Sequence, residues 1–146
     1  MSLQTDIIFS RALHDSEAFS SMVDGRIYNT AIPLPDEEID NVPLPYAIVA
    51  YDGMVNDAST KDDPFEGDYD TVTISVLLVA GTRPKLSELS ETARVAIHDF
   101  FANLTDDDQD YDLVPIDYTL SAQGVMYDQF KPSYWLKLIY QCYTNV

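Results

Sequence analysis

The sequence predicts a single α+β domain with the order helix, three strands, helix, two strands. Its sheet is expected to be mainly antiparallel, with the two helices packed on one face. Three observations lead there. Apolar residues recur at helical spacing between Pro84 and Leu104. They alternate with a two-residue period from Asp70 to Ala80 and again from Ser133 to Tyr143. No repeat or low-complexity linker divides the 146 residues, and a chain of that length buries about 70% of the surface it would expose unfolded.

A first helix is expected from about Thr5 to Met22, with Thr5 as its N-cap. Ile8, Ala12, Phe19 and Val23 share one face of it, although Asp15 falls among them. Asp24-Gly25 reads as a stop and a turn. A short extended piece, Arg26 to Asn29, precedes a loop in which Pro33, Pro35, Pro43 and Pro45 forbid regular structure. Tyr46 to Asp52 is a strand with apolar residues on both faces, and Gly53 to Tyr69 reads as a long acidic connection. Connections of that length tend to be functional or disordered. This one carries Asp57, Asp62, Asp63, Glu66 and Asp68.

In the third strand Val72, Ile74, Val76 and Leu78 take one face, while Thr71, Thr73 and Ser75 begin the other. The second helix places Leu86, Leu89, Ala93, Ile97, Phe100, Phe101 and Leu104 in one stripe. Pro84 is tolerated in its first turn, and Val95 stands exposed on the side of Glu88, Glu91 and Asp99. An acidic turn, Asp106 to Asp110, leads to a strand in which Val114, Ile116, Tyr118, Leu120 and Ala122 alternate with polar residues. The last strand alternates Tyr134, Leu136, Leu138, Tyr140 and Cys142 with Trp135, Lys137, Ile139, Gln141 and Tyr143. The helical stripe needs a sheet face to bury it. The opposite face then carries Thr71, Thr73, Ser75, Asp117, Thr119, Ser121, Trp135, Ile139 and Tyr143, a half-polar surface suited to partial cover by another chain.

Charge is the unusual feature, with 25 acidic against 8 basic residues and a net charge of −17. Phosphate binding needs clustered Lys and Arg, so sequence-specific nucleic-acid recognition and anionic membranes are disfavoured as partners. No apolar run approaches the ~18–20 residues of a bilayer span, and residues 1–6 have no signal-peptide pattern. Synthesis in the cytoplasm is expected. The single cysteine, Cys142, excludes an intramolecular disulfide and reads as a small core hydrophobe.

Chemistry finds little purchase. His14 sits mid-helix, and His98 is expected half-buried on the flank of the second helix's stripe; neither has zinc-ligand spacing. Ser59, Ser87 and Ser90 lack a nucleophile-elbow context, and the five glycines form no phosphate cradle. Asp106, Asp108 and Asp110 have the first-third-fifth spacing of a calcium loop. Tyr111 stands where the sharp turn needs Gly, and Asp117 where a bidentate Glu belongs. No enzyme activity, cofactor or metal is expected. The candidate functional residues are instead partner contacts: Trp135, Ile139 and Tyr143 on the open sheet face, the exposed Val95, and Asp57, Asp62 and Asp63 in the acidic connection.

The words Asp24-Gly25-Arg26-Ile27-Tyr28 and Leu44-Pro45-Tyr46-Ala47-Ile48-Val49 are followed by the loop with Ser59-Thr60-Lys61, the strand Val72 to Leu78, the second helix and a closing strand pair. This series resembles the tail-completion (tail-terminator) proteins of long-tailed bacteriophages and prophages over about residues 5–143. The resemblance implies a small α+β subunit that forms a ring, usually six-fold, at the head-proximal end of the tail. Such a ring stops tube polymerisation and joins the neck of the capsid, without catalysis or cofactor. Its partners would be further copies of itself, tail-tube proteins and neck or connector proteins. It would be found in the bacterial cytoplasm during assembly and then in the virion tail. A head-closure or adaptor protein at the same junction, or a generic protein-interaction module, are the alternatives. The marked acidity and the length around Asp106 to Asp112 depart from many relatives. A negative channel lining would let DNA slide without sticking.

Overall fold

The computed structural model describes residues 5–34, 41–57, 69–105 and 117–145. Its elements run α1 (Thr5–Asp15), α2 (Glu17–Val23), β1 (Ile27–Asn29), β2 (Tyr46–Asp57), β3 (Tyr69–Ala80), α3 (Arg83–Asn103), β4 (Asp117–Ala122), β5 (Met126–Asp128) and β6 (Ser133–Asn145). The expected α+β class holds, with three helices among the described residues where two were expected and one additional strand.

The sequence pattern suggests one helix from Thr5 to Met22, but the structure breaks it at Ser16. That residue leaves helical geometry (φ −80, ψ 108), and its side chain accepts a hydrogen bond from the Phe19 amide at 3.2 Å. Serine competes for backbone donors in this way, which makes it a better N-cap than helix interior. A continuous helix would have carried Asp15 onto the apolar face. With the break Asp15 is exposed, while Ile8, Phe9, Ala12 and Leu13 of α1 and Phe19 and Val23 of α2 are all buried. Asp24 (φ 51) and Gly25 (φ 73) end α2 in the left-handed region, where the Gly25 amide bonds the Ser20 carbonyl at 2.9 Å.

α3 begins one residue earlier than expected, because the Thr82 side chain caps it by accepting from the Lys85 amide at 3.3 Å. Leu86, Leu89, Ala93, Ala96 and Ile97 are buried along it, and Phe100, Phe101 and Leu104 continue the stripe half-buried.

The sheet has strand order β1-β2-β3-β6-β4, and β5 also pairs with β6. Every pairing is antiparallel except β1 with β2. β2 extends beyond the expected end at Asp52. Asp52 is an extra residue between Tyr51, opposite Ile74, and Gly53, opposite Thr73. Gly53 adopts φ 150, a region L side chains rarely enter. A glycine there lets the strand bulge and carry on to Asp57, so less of the acidic connection is loop than its composition suggests. A second irregularity separates β4 from β5. Ala122 faces Leu138 and Met126 faces Trp135, four residues along one strand against three along the other. The Gln123 amide still bonds the Lys137 carbonyl at 3.2 Å, so β4 and β5 form one interrupted edge along β6. Val114, Pro115 and Ile116 of the expected fourth strand lie outside the described residues, as do Pro35, the acidic turn Asp106–Asp110, and Asp62 and Asp63.

The core lies between the helices and one sheet face. Val72, Ile74, Val76, Leu78 and Ala80 of β3 point into it, joined by Ala47, Val49, Leu138, Tyr140 and Cys142. Phe9 is central. Its ring packs edge-on against Phe101 at 5.2 Å and tilted against Tyr140 at 4.9 Å.

Candidate functional site

The pairing register lays the opposite sheet face out in rows. The first row crosses Tyr46, Val79, Trp135 and Met126 on four strands, and the second crosses Tyr28, Ile48, Leu77 and Lys137. The third is Ala50, Ser75, Ile139 and Ser121; the last is Val55, Thr71, Tyr143 and Asp117. Large apolar side chains are therefore gathered at one end of the face, and small or polar ones fill the middle. Val79 and Ser75 are buried among their taller neighbours, while Trp135, Leu77 and Ile48 are half-buried. No described helix covers this face.

At the apolar end Tyr46, Leu77, Val79, Asp128, Lys131, Ser133, Trp135 and Lys137 line a groove of about 280 Å³. Lys131 is held there: its ammonium donates to the Val42 carbonyl at 2.7 Å and lies 5.9 Å from the centroid of the Tyr46 ring. Among the described residues Lys137 makes no ion pair. Two of the eight basic residues of a chain with net charge −17 thus stand at this groove.

The helix side carries a second, larger groove, about 680 Å³, where the α1–α2 joint meets α3. Ala12, Ala18, Val95, Ala96, Phe100 and Leu104 give it an apolar floor, and Asp15, Glu91 and Asp99 give it an acidic rim. Val95 is 50% exposed. Beside it Arg94, His98, Tyr118 and Tyr140 help line a cleft of about 290 Å³. His98 is exposed on α3 and not half-buried as its place beside the stripe suggested; His14 is exposed as well. No group of three metal-ligating side chains occurs among the described residues. No described helix is long and apolar enough to cross a membrane.

Trp135, Ile139 and Tyr143 thus lie together on the uncovered sheet face, whereas Val95 stands on the other side of the molecule. Asp57 closes β2. Asp62 and Asp63 lie outside the described residues. The sequence reading missed Tyr28, Tyr46, Ile48, Leu77, Val79 and Met126 as members of the sheet face. The signal was present: Leu77 and Val79 continue the polar register of Thr71, Thr73 and Ser75 with apolar residues.

Buried titratable groups lie on the core side. Burial pushes the Cys142 thiol up to about 12. Burial raises Tyr140 further, with Tyr118 beside it adding to the effect. Burial also raises Tyr118, with smaller contributions from Cys142 and Asp117. Each folded-state value lies above the unfolded one. The stability these groups contribute is therefore intact below pH 9, the ordinary thiol value, and is lost as the pH climbs toward 12. Denaturant titrations at pH 8 and at pH 11 should show a clear fall in stability, part of it absent in Cys142→Ala. A flat profile would contradict the burial of these groups.

Neither a family model nor a curated protein matches the sequence. In three dimensions the chain is similar to one chain of the virion of a native gene transfer agent (GTA) particle. The TM-score is 0.55 at 13% identity, over 97% of this chain and 94% of the other. At that identity the likeness is one of fold, and it extends over nearly the whole of both chains.

Proposed function

We propose that this chain is a structural, non-enzymatic subunit of a phage or prophage tail or neck. It acts as a ring, six-fold as the resemblance to tail-completion proteins implies, that caps the tail tube and joins it to the head. The observation that carries this reading is the uncovered sheet face. Apolar side chains at its first two rows, with Lys131 and Lys137 beside them, form a surface that water leaves poorly satisfied and a protein partner would cover. Trp135, Ile139 and Tyr143 are contacts on it, and Val95, Asp57, Asp62 and Asp63 serve other contacts. The fold shared with a gene transfer agent virion chain supports a place in a particle. The net charge of −17 suits a wall past which DNA must move without binding.

Removing the gene from a producing strain is the test. A terminator is expected to leave filled heads separate from tails whose length is no longer controlled, as seen by electron microscopy. Tails of normal length beside heads that lose their DNA would identify a head-closure protein instead. Normal particles would end the virion reading and leave a general interaction module.

A further inference from the structure

The β5–β6 turn projects an apolar knob that its own chain leaves largely exposed. Phe130 is 94% exposed, and Val125, Met126 and Tyr127 beside it are 40%, 50% and 53% exposed. The knob is also preorganised. The Asp128 carboxylate accepts from the Phe130 amide at 2.9 Å and from the Lys131 amide at 3.4 Å, and the Tyr127 ring packs on Tyr134 at 4.9 Å. A rigid turn that presents a bare phenyl ring loses little entropy when the ring is buried by a partner.

The register places this knob at the end of the sheet where β3 stops and α3 begins, since Tyr134 faces Ala80. The helix-side groove lies along the later half of α3, from Glu91 to Leu104, on a helix of 21 residues and so about 30 Å long. The two features cannot meet within one molecule. We propose that they meet between molecules: the Phe130 knob of one copy docks in the groove floored by Val95, Phe100 and Leu104 on the next. This rests on the ring reading above and names the contact that closes the ring. Two different patches joined head to tail propagate around a cycle, as a ring requires. Charge agrees with the pairing. The rim of the groove is Asp15, Glu91 and Asp99, whereas Lys131, next to Phe130, makes no ion pair among the described residues, its ammonium resting on the Val42 carbonyl of its own chain, and the knob's carboxylate, Asp128, accepts from its own backbone. The groove, at about 680 Å³, is large enough for an aromatic side chain and its apolar neighbours.

Cysteine pairing tests the contact directly, because Cys142 is buried and offers no competing thiol. Gln129→Cys beside the knob and Asn103→Cys at the groove, which leave Phe130 and Val95 in place, would be made separately in the full chain, mixed at up to millimolar concentration and oxidised. The expected product is the mixed disulfide dimer, in at least tenfold excess over either homodimer. Equal yields of all three dimers, or none at millimolar concentration, would overturn the proposal. Phe130→Asp, set in the Gln129→Cys protein, should then abolish the mixed product with an unchanged thermal melt, and its persistence would also count against the contact. Separate heads and tails in the gene-deletion strain together with no cross-link would discard this contact alone; a cross-link beside normal particles would discard the tail role alone.

Discussion

Phe9→Ala is expected to cost about 3–5 kcal/mol of folding stability, the range for deleting a buried aromatic ring. Phe9 is fully buried, and its ring contacts Phe101 from α3 and Tyr140 from β6. It therefore joins α1, α3 and the central sheet at one point. The chain of contacts continues, since Phe101 and Tyr140 both pack on Tyr118 at 5.7 and 5.5 Å. A cavity at Phe9 is consequently bordered by rings that cannot collapse into it without losing contacts elsewhere. Typical domains are stable by only about 5–15 kcal/mol, so the variant should melt far below the wild type or fail to accumulate. The check is a denaturant titration of both proteins. A loss under about 1 kcal/mol would mean that α1 does not depend on this residue.

Trp135→Ala should do the reverse, sparing the fold and weakening assembly. Trp135 is the largest side chain in the apolar row of the open face, set between Val79 and Met126. It is half-buried there by neighbours alone. Anchors of this kind are worth ≥2 kcal/mol in interfaces, on the order of thirtyfold in affinity. The expected outcome is a melt close to wild type and strongly reduced incorporation into particles, measured by quantifying the subunit in purified virions. A loss of stability like that of Phe9→Ala would place Trp135 in the core and remove the open face as a docking surface.

These two residues also show what the sequence made legible. Alternation from Val72 to Leu78 and from Tyr134 to Cys142 assigned strand faces correctly, because a buried face and an open face impose different chemistry at every second position. The α3 stripe was equally readable. Ser16 was not: both of its neighbouring segments are helical in pattern, and only the competition of its hydroxyl for the Phe19 amide decides for a break. β5 is three residues long, too short to display a period. Gly53 reads as a strand end, yet its freedom of φ is what keeps β2 going. The open sheet face was partly visible through Trp135, Ile139 and Tyr143. Tyr46, Leu77 and Val79 complete it through pairings distant in sequence, which no local pattern encodes. The Phe130 knob was not anticipated, since a lone phenylalanine in a turn carries no periodic signal.

The position of β6 has a consequence for biogenesis. It is the last strand in chain order, yet it lies between β3 and β4 and pairs with β5 as well. The ribosome makes it after all three, so until it emerges β3 has an unfilled side, and β4 and β5 have no strand to pair with. Nascent chains up to that point expose sticky edges of the kind that template misassembly. Zipping this strand into the gap is a long-range step that makes folding slow relative to local helix formation. At a net charge of −17, unfinished molecules repel one another, which opposes such edge-to-edge pairing.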